Sequence, residues 1–315
     1  MLYDKIVKHS TLFKALTLTL LSLDAQALTI SGKMYVGPTF YQKNPNTTPT
    51  AEDKVVVETA ASRLYFTENV YGKVTNGVYF LYEGDINNDL AIKHSYLGYR
   101  HDLVDLRMGT LDSLVYSWVG SFSDPWNYGG NIAVIPQYNR YLGNSAKVVT
   151  NLSDQFQLGV ATGLAQDTRD YSYIDLGGKW SNNKLTLAMV YQENNKDSTT
   201  TFENRNTWAS AIAYNINKNL TLKANYAHYS ETYSSNSHDD AFSIGGNSEN
   251  TYLFYQTSQN KDQARINFMH SIPLTKSSSI GLEAQVPVNA KYYKNGATSK
   301  TDDTSFGTIY LGLKF

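Results

Sequence analysis

The sequence predicts an all-β fold, a transmembrane antiparallel β-barrel, with sixteen strands as the preferred count and fourteen as the alternative. Three observations predict it. Charged residues make up 17% of the chain and aromatics 13%, with 25 Tyr and a mean hydropathy of -0.40. An average soluble domain carries ~25% charged residues, and low charge with many Tyr and negative hydropathy describes a wall with one apolar and one polar face. Second, hydrophobicity repeats with a period of two in run after run. Third, the connections between runs alternate between short and long, as transmembrane barrels require. The same composition excludes other classes. A net charge of -1 excludes a nucleic-acid binder held by bulk charge. The absence of Cys excludes a disulfide scaffold and a Cys-ligated metal.

The first segment reads as an address. Lys5, Lys8 and Lys14 precede an apolar run from Ala15 to Leu23, and Asp24-Ala25-Gln26-Ala27 supplies a small-x-small site. These are the parts of a secretory signal peptide. The run is shorter than the ~20 residues of a spanning helix. Residues 1–27 are therefore read as a signal cleaved after Ala27, and 28–315 as one barrel domain. No later stretch reaches ~18 uninterrupted apolar residues, so the mature chain can cross a bilayer only as strands.

Successive side chains of a strand point to opposite faces. In Leu28–Val36 the even positions are apolar or Gly and the odd ones are Thr29, Ser31, Lys33 and Tyr35. Phe156, Leu158 and Val160 oppose Gln155, Gln157 and Gly159; Leu185, Leu187 and Met189 oppose Lys184 and Thr186. Trp208, Ser210, Ile212 and Tyr214 form one face, and Leu220, Leu222, Ala224 and Tyr226 oppose Lys223 and Asn225. Ile266 and Phe268 oppose Arg265 and Asn267; Ile280, Leu282 and Ala284 oppose Glu283 and Gln285; Ile309, Leu311, Leu313 and Phe315 oppose Tyr310 and Lys314. None of these apolar sets contains a charge, and a Lys or Arg on a lipid face costs about 2–4 kcal/mol at the midplane. The opposite faces show no second apolar layer. The strands fall at 28–42, 54–68, 76–87, 91–101, 103–110, 140–152, 154–166, 171–181, 183–194, 205–217, 219–231, 240–246, 250–258, 262–274, 277–290 and 303–315, with 240–246 the weakest.

Several short motifs occur in a fixed order. They are Ser62-Arg63-Leu64-Tyr65-Phe66, Gly77–Glu83, Tyr96-Leu97-Gly98 with Leu106-Arg107-Met108-Gly109, Arg140 with Asn144-Ser145, and the terminal Leu311–Phe315. In that order they resemble the general trimeric porins of Gram-negative outer membranes. Tyr65 stands where that family usually has Gly, and Thr110 where an Arg often follows the second glycine. The resemblance implies an outer-membrane location, a homotrimer, and passive diffusion of small hydrophilic solutes and ions. It implies contact with outer-membrane lipid and the barrel insertion machinery, with Phe315 as the assembly signal. No cofactor, metal or nucleic-acid partner is implied.

The longest connection, 111–139, is too aromatic for a disordered linker, and long structureless loops are usually functional. The resemblance implies that it folds into the barrel and narrows it. Trp118, Phe122 and Trp126 would then bury against the wall, and Asp112 and Asp124 would face water. Parity turns Lys33, Arg63, Arg100, Arg107 and Lys147 inward, with Arg140 at a strand start; Glu83 and Asp85 point inward as well. Bases facing loop acids across a narrow gap would order water and orient polar solutes. One alternative is a saccharide-selective porin with Trp118, Trp126 and Tyr128 as a sugar track. Another, of a different class, is an outer-membrane barrel hydrolase using His228 or His270 with a nearby Ser. No zinc-spaced His pair and no Gly-x-Ser-x-Gly elbow accompanies it, so the chain is read as no enzyme.

Overall fold

The computed structural model of the chain describes residues 28–43, 54–73, 76–86, 91–125, 142–164, 171–196, 206–229, 240–258, 263–288 and 304–315. The proposed signal with Ala27, and Arg140 and Trp126, lie outside these residues. Sixteen strands run in chain order: β1 Thr29–Lys43, β2 Lys54–Lys73, β3 Asn76–Asp85, β4 Ala91–His101, β5 Val104–Leu111, β6 Leu142–Asn151, β7 Phe156–Gly163, β8 Tyr171–Ser181, β9 Leu185–Lys196, β10 Thr207–Asn215, β11 Leu220–Tyr229, β12 Asp240–Ser248, β13 Thr251–Ser258, β14 Gln263–Pro273, β15 Ser278–Pro287 and β16 Thr304–Lys314. Each pairs antiparallel with its sequence neighbour, and β1 pairs with β16 to close the ring. The period-two runs therefore settle on sixteen strands. The weakest sequence signal, 240–246, is a full strand whose glycines Gly245 and Gly246 dilute its hydropathy.

Closure satisfies every ladder, which a bilayer demands because it offers no water to an open edge. The short turns cluster at one rim and are tied by their own side chains. Asn182 Oδ1 accepts from the backbone N–H groups of Lys184 and Leu185, and Asn217 Oδ1 accepts from those of Asn219 and Leu220. Such Asx turns reverse a strand in few residues. The chain's last residue completes the seam at this rim. Gly32 N donates to Phe315 O at 2.8 Å and Phe315 N donates to Gly32 O at 3.1 Å.

The two faces separate as the alternation predicts. Leu97, Met108, Leu158, Leu176, Met189, Leu253 and Ile309 are exposed on the outside. Residues of the opposite parity face the lumen and include Arg107, Gly159, Asp175, Gln192, Asn225, Gln256 and Glu283. One feature departs from the expected purely polar interior. Along β7 to β12 many inward positions are Ala or Gly, among them Gly159, Ala161, Gly177, Ala188, Ala209, Ala211, Ala227 and Ala241. This small-residue wall receives apolar side chains from the connection after β5, and together they form a buried cluster inside the ring.

Candidate functional site

The chain leaves β5 at Leu111 and turns into the lumen. Gly109 has φ 140°, in the region only glycine tolerates well, and a Cβ there would meet Ser95 O at 2.2 Å. The backbone can make this bend only without a side chain. The connection then forms a π-type turn over Val115–Val119 and a 3-10 turn over Gly120–Ser123. Leu114, Val115, Trp118 and Val119 are buried against the small-residue wall. A Cβ at Gly159 would lie 2.7 Å from Trp118 Cη2 and 2.9 Å from Leu114 Cδ1, so the indole occupies the space that glycine leaves.

Polar side chains of the wall hold both ends of this helical segment. At its start, Asp175 on β8 is fully buried and its Oδ2 accepts from Leu114 N at 2.6 Å. Gln192 on β9 donates to the other carboxylate oxygen at 2.7 Å. At its end, Asn225 Nδ2 on β11 donates to Val119 O at 3.1 Å and to Ser123 Oγ at 2.8 Å. Gln256 Nε2 on β13 donates to Ser123 O at 2.9 Å. An acid thus meets the N–H end and amide donors meet the carbonyl end, the arrangement that unsatisfied helix termini call for.

The opposite part of the wall, β1 to β6, carries the charges. Arg63 Nε contacts Glu83 Oε1 at 3.1 Å and its Nη1 contacts Asp85 Oδ1 at 3.0 Å. Lys93 reaches Asp85 at 3.3 Å. His94 bridges Glu83 and Asp112, with Nδ1 2.6 Å from Glu83 Oε2 and Nε2 3.2 Å from Asp112 Oδ2. A continuous chain of charged and polar contacts therefore runs from Lys93 to the root of the inward segment. Lys147 Nζ donates to Asp112 O at 2.8 Å. Arg100 and Arg107 both contact Asp105 Oδ2, at 3.2 Å and 2.8 Å. Lys33 lies on the same wall, its Nζ 5.9 Å from the Tyr35 ring centre and its backbone in register with Arg63.

The structure thus places Lys33, Arg63, Arg100, Arg107 and Lys147 on one inward wall, and Asp112 beside them. Rather than facing the loop acids across a gap, the arginines make their described ion pairs along the wall, with Glu83, Asp85 and Asp105. Asp124 accepts from Tyr116 OH at 2.5 Å within the segment itself. Trp118 is buried and Phe122 half-buried against the apolar cluster. Buried in this way, Trp118 offers no face on which a sugar can stack. His94, Asp105, Asp175, Asn225 and Gln256 were not singled out by the sequence. Asp105 was within reach, because a two-residue turn at Asp102–Leu103 puts it opposite Arg100. The histidines of the hydrolase alternative sit on the outer face at opposite rims, where His228 Nδ1 is 2.7 Å from Asp240 Oδ1 and His270 Nδ1 is 2.8 Å from Thr251 Oγ1. Neither has a serine partner among the described contacts. No group of three or more His, Asp or Glu is placed to hold a metal ion among the described residues.

A family profile described as Gram-negative porin matches residues 15–310. Among solved structures, the chain is similar to a mutant of the Rh. blastica porin at 12% identity and a TM-score of 0.61, covering 92% of this chain and 100% of that one. It is similar to in-vitro folded OmpT of Vibrio cholerae in its trimer form at 12% identity and a TM-score of 0.68, covering 93% and 100%. An OmpT lacking loop L8 gives 14% identity, a TM-score of 0.67 and coverage of 93% and 100%. A search of the curated proteins gives no match.

Proposed function

The chain belongs to the Gram-negative porin family, and from that premise we propose how its lumen works as a channel of the outer membrane. The protein is an outer-membrane porin with a water-accessible interior. Small hydrophilic solutes and ions cross it by passive diffusion. The segment 112–125 narrows the lumen from one side, and the charged wall of Lys33, Arg63, Arg100, Arg107 and Lys147 bounds the remaining opening from the other. Sieving follows from width and from the field of these charges. Three protomers assemble, as in the trimer form of the V. cholerae protein. Residues 1–27 direct export and are removed after Ala27, and Phe315 presents the assembly signal. The reading is of transport without a catalytic step.

The observation that carries this reading is the sidedness of the ring. Apolar residues cover the outside, and a network from Lys93 through Asp85, Arg63, Glu83 and His94 to Asp112 lines the inside. A packed soluble core has no place for such a row. Single-channel recording in planar bilayers tests it, with reversal potentials under a salt gradient for wild type, Arg63→Ala and Asp124→Ala. Arg63→Ala raises cation over anion permeability, Asp124→Ala shifts it the other way, and trimer assembly persists in both. Currents and reversal potentials identical to wild type in both variants would remove these residues from the constriction.

A further inference from the structure

Asp105 carries two guanidiniums. Its Oδ2 accepts from Arg100 Nε at 3.3 Å, Arg100 Nη2 at 3.2 Å and Arg107 Nη2 at 2.8 Å; its Oδ1 accepts from Arg107 Nε at 3.1 Å and Tyr79 OH at 2.8 Å. A carboxylate offers about four lone-pair sites, so this one is saturated while two positive charges share one negative. Each arginine keeps its Nη1 group unengaged among the described residues. The guanidiniums are also accessible, with side-chain exposures of 38% for Arg100 and 30% for Arg107 against 18% for Asp105.

The pair is fixed in place. Arg100 Cζ lies 4.8 Å from the Tyr79 ring centre and Arg107 Cζ 5.5 Å from that of Tyr96, and the two rings meet edge to face at 6.1 Å. Gly98 makes room for this, since a Cβ there would lie 2.3 Å from Tyr79 Cζ. Both guanidiniums thus have one face covered by a tyrosine, so little side-chain freedom is left to lose on binding. The next inward residue in register with Arg107 is another base, Lys147, whose ammonium donates to the carbonyl of Asp112.

We propose that Arg100 and Arg107 form a subsite for doubly charged oxyanions of the phosphate-monoester class, on the short-turn side of the inward segment. Two neighbouring guanidiniums, each with its Nη1 end unengaged and together carrying an uncompensated charge, match a tetrahedral dianion, which offers an oxygen to each. The inference rests on the channel reading and names a solute class for it. The test is planar-bilayer recording of the purified protein in potassium chloride, with inorganic phosphate added at neutral pH. Phosphate reduces or interrupts the current in a saturable way, and nitrate at equal ionic strength does not. In the R100Q/R107Q double variant the concentration for half-block rises about tenfold or more. In Lys223→Gln, which removes an inward cation on the far wall, it stays at the wild-type value. A working channel without phosphate block, or with equal block in the double variant, overturns the subsite. Equal block by succinate at the same concentration overturns the phosphate assignment. The absence of any channel in wild type overturns the porin mechanism itself and is a separate result.

Discussion

Replacing Trp118 by Ala removes the main apolar hold on the inward segment. The indole is 7% exposed and fills the space over Gly159 and Gly177. Truncating a buried Trp to Ala costs about 3–5 kcal/mol. The wall's hydrogen bonds to the segment, from Asp175, Asn225 and Gln256, contribute roughly 1 kcal/mol each, and more where the acid is charged. The ring is therefore worth about as much as all the polar ties together. Losing it multiplies the detached population by roughly 10²- to 5 × 10³-fold. The barrel itself keeps its ladders, so the variant still folds. Two assays read the effect. Open-channel noise rises in planar bilayers, and chymotrypsin gains access at Tyr116 and Phe122. Trp208→Ala serves as control, because Trp208 is exposed on the outer face beside Tyr191. Quiet, protease-resistant Trp118→Ala channels would refute the reasoning, as would equal noise in Trp208→Ala.

Other expectations follow from the same geometry. Asp175→Asn places an amide against two donors, the Leu114 N–H and the Gln192 side chain, and costs about 1–3 kcal/mol of segment attachment, read as a further rise in noise when combined with Trp118→Ala. Deleting Phe315 removes both seam bonds to Gly32 and slows barrel assembly, measured as the fraction of heat-modifiable folded protein after refolding into detergent. Leu253→Arg puts a charge in the middle of the outer face and costs about 2–4 kcal/mol, measured by denaturant titration in lipid vesicles; a cost near zero would contradict the assignment of that face.

The strands were legible because the lipid face is unforgiving: one charge on it is costly, so alternation survives in almost every run. β12 was the faint exception, since Gly245 and Gly246 hide the pattern without breaking the ladder. The inward bases were legible for the same reason, as parity fixes which way Arg63 or Arg107 points. The receptacle for the inward segment was not. An Ala in an alternating strand reads as neither polar nor apolar, and its role at Ala188, Ala209 or Ala211 emerges only when Trp118 and its neighbours arrive from another part of the chain. The turns at 115–123 follow no helical period of their own; wall side chains from β8, β11 and β13 satisfy their ends. His94 was silent in sequence because its partners, Glu83 and Asp112, are set by strand register and by the bend at Gly109.

The chain contains no Cys, so single thiols can be placed along one strand and probed with a membrane-impermeant reagent in proteoliposomes. On β11, thiols at Thr221 and Lys223 face the water-filled interior and react, while thiols at Leu222 and Ala224 lie against acyl chains and are protected. Equal labelling at all four positions, or the reverse alternation, would contradict a hollow ring that is wet inside and greasy outside.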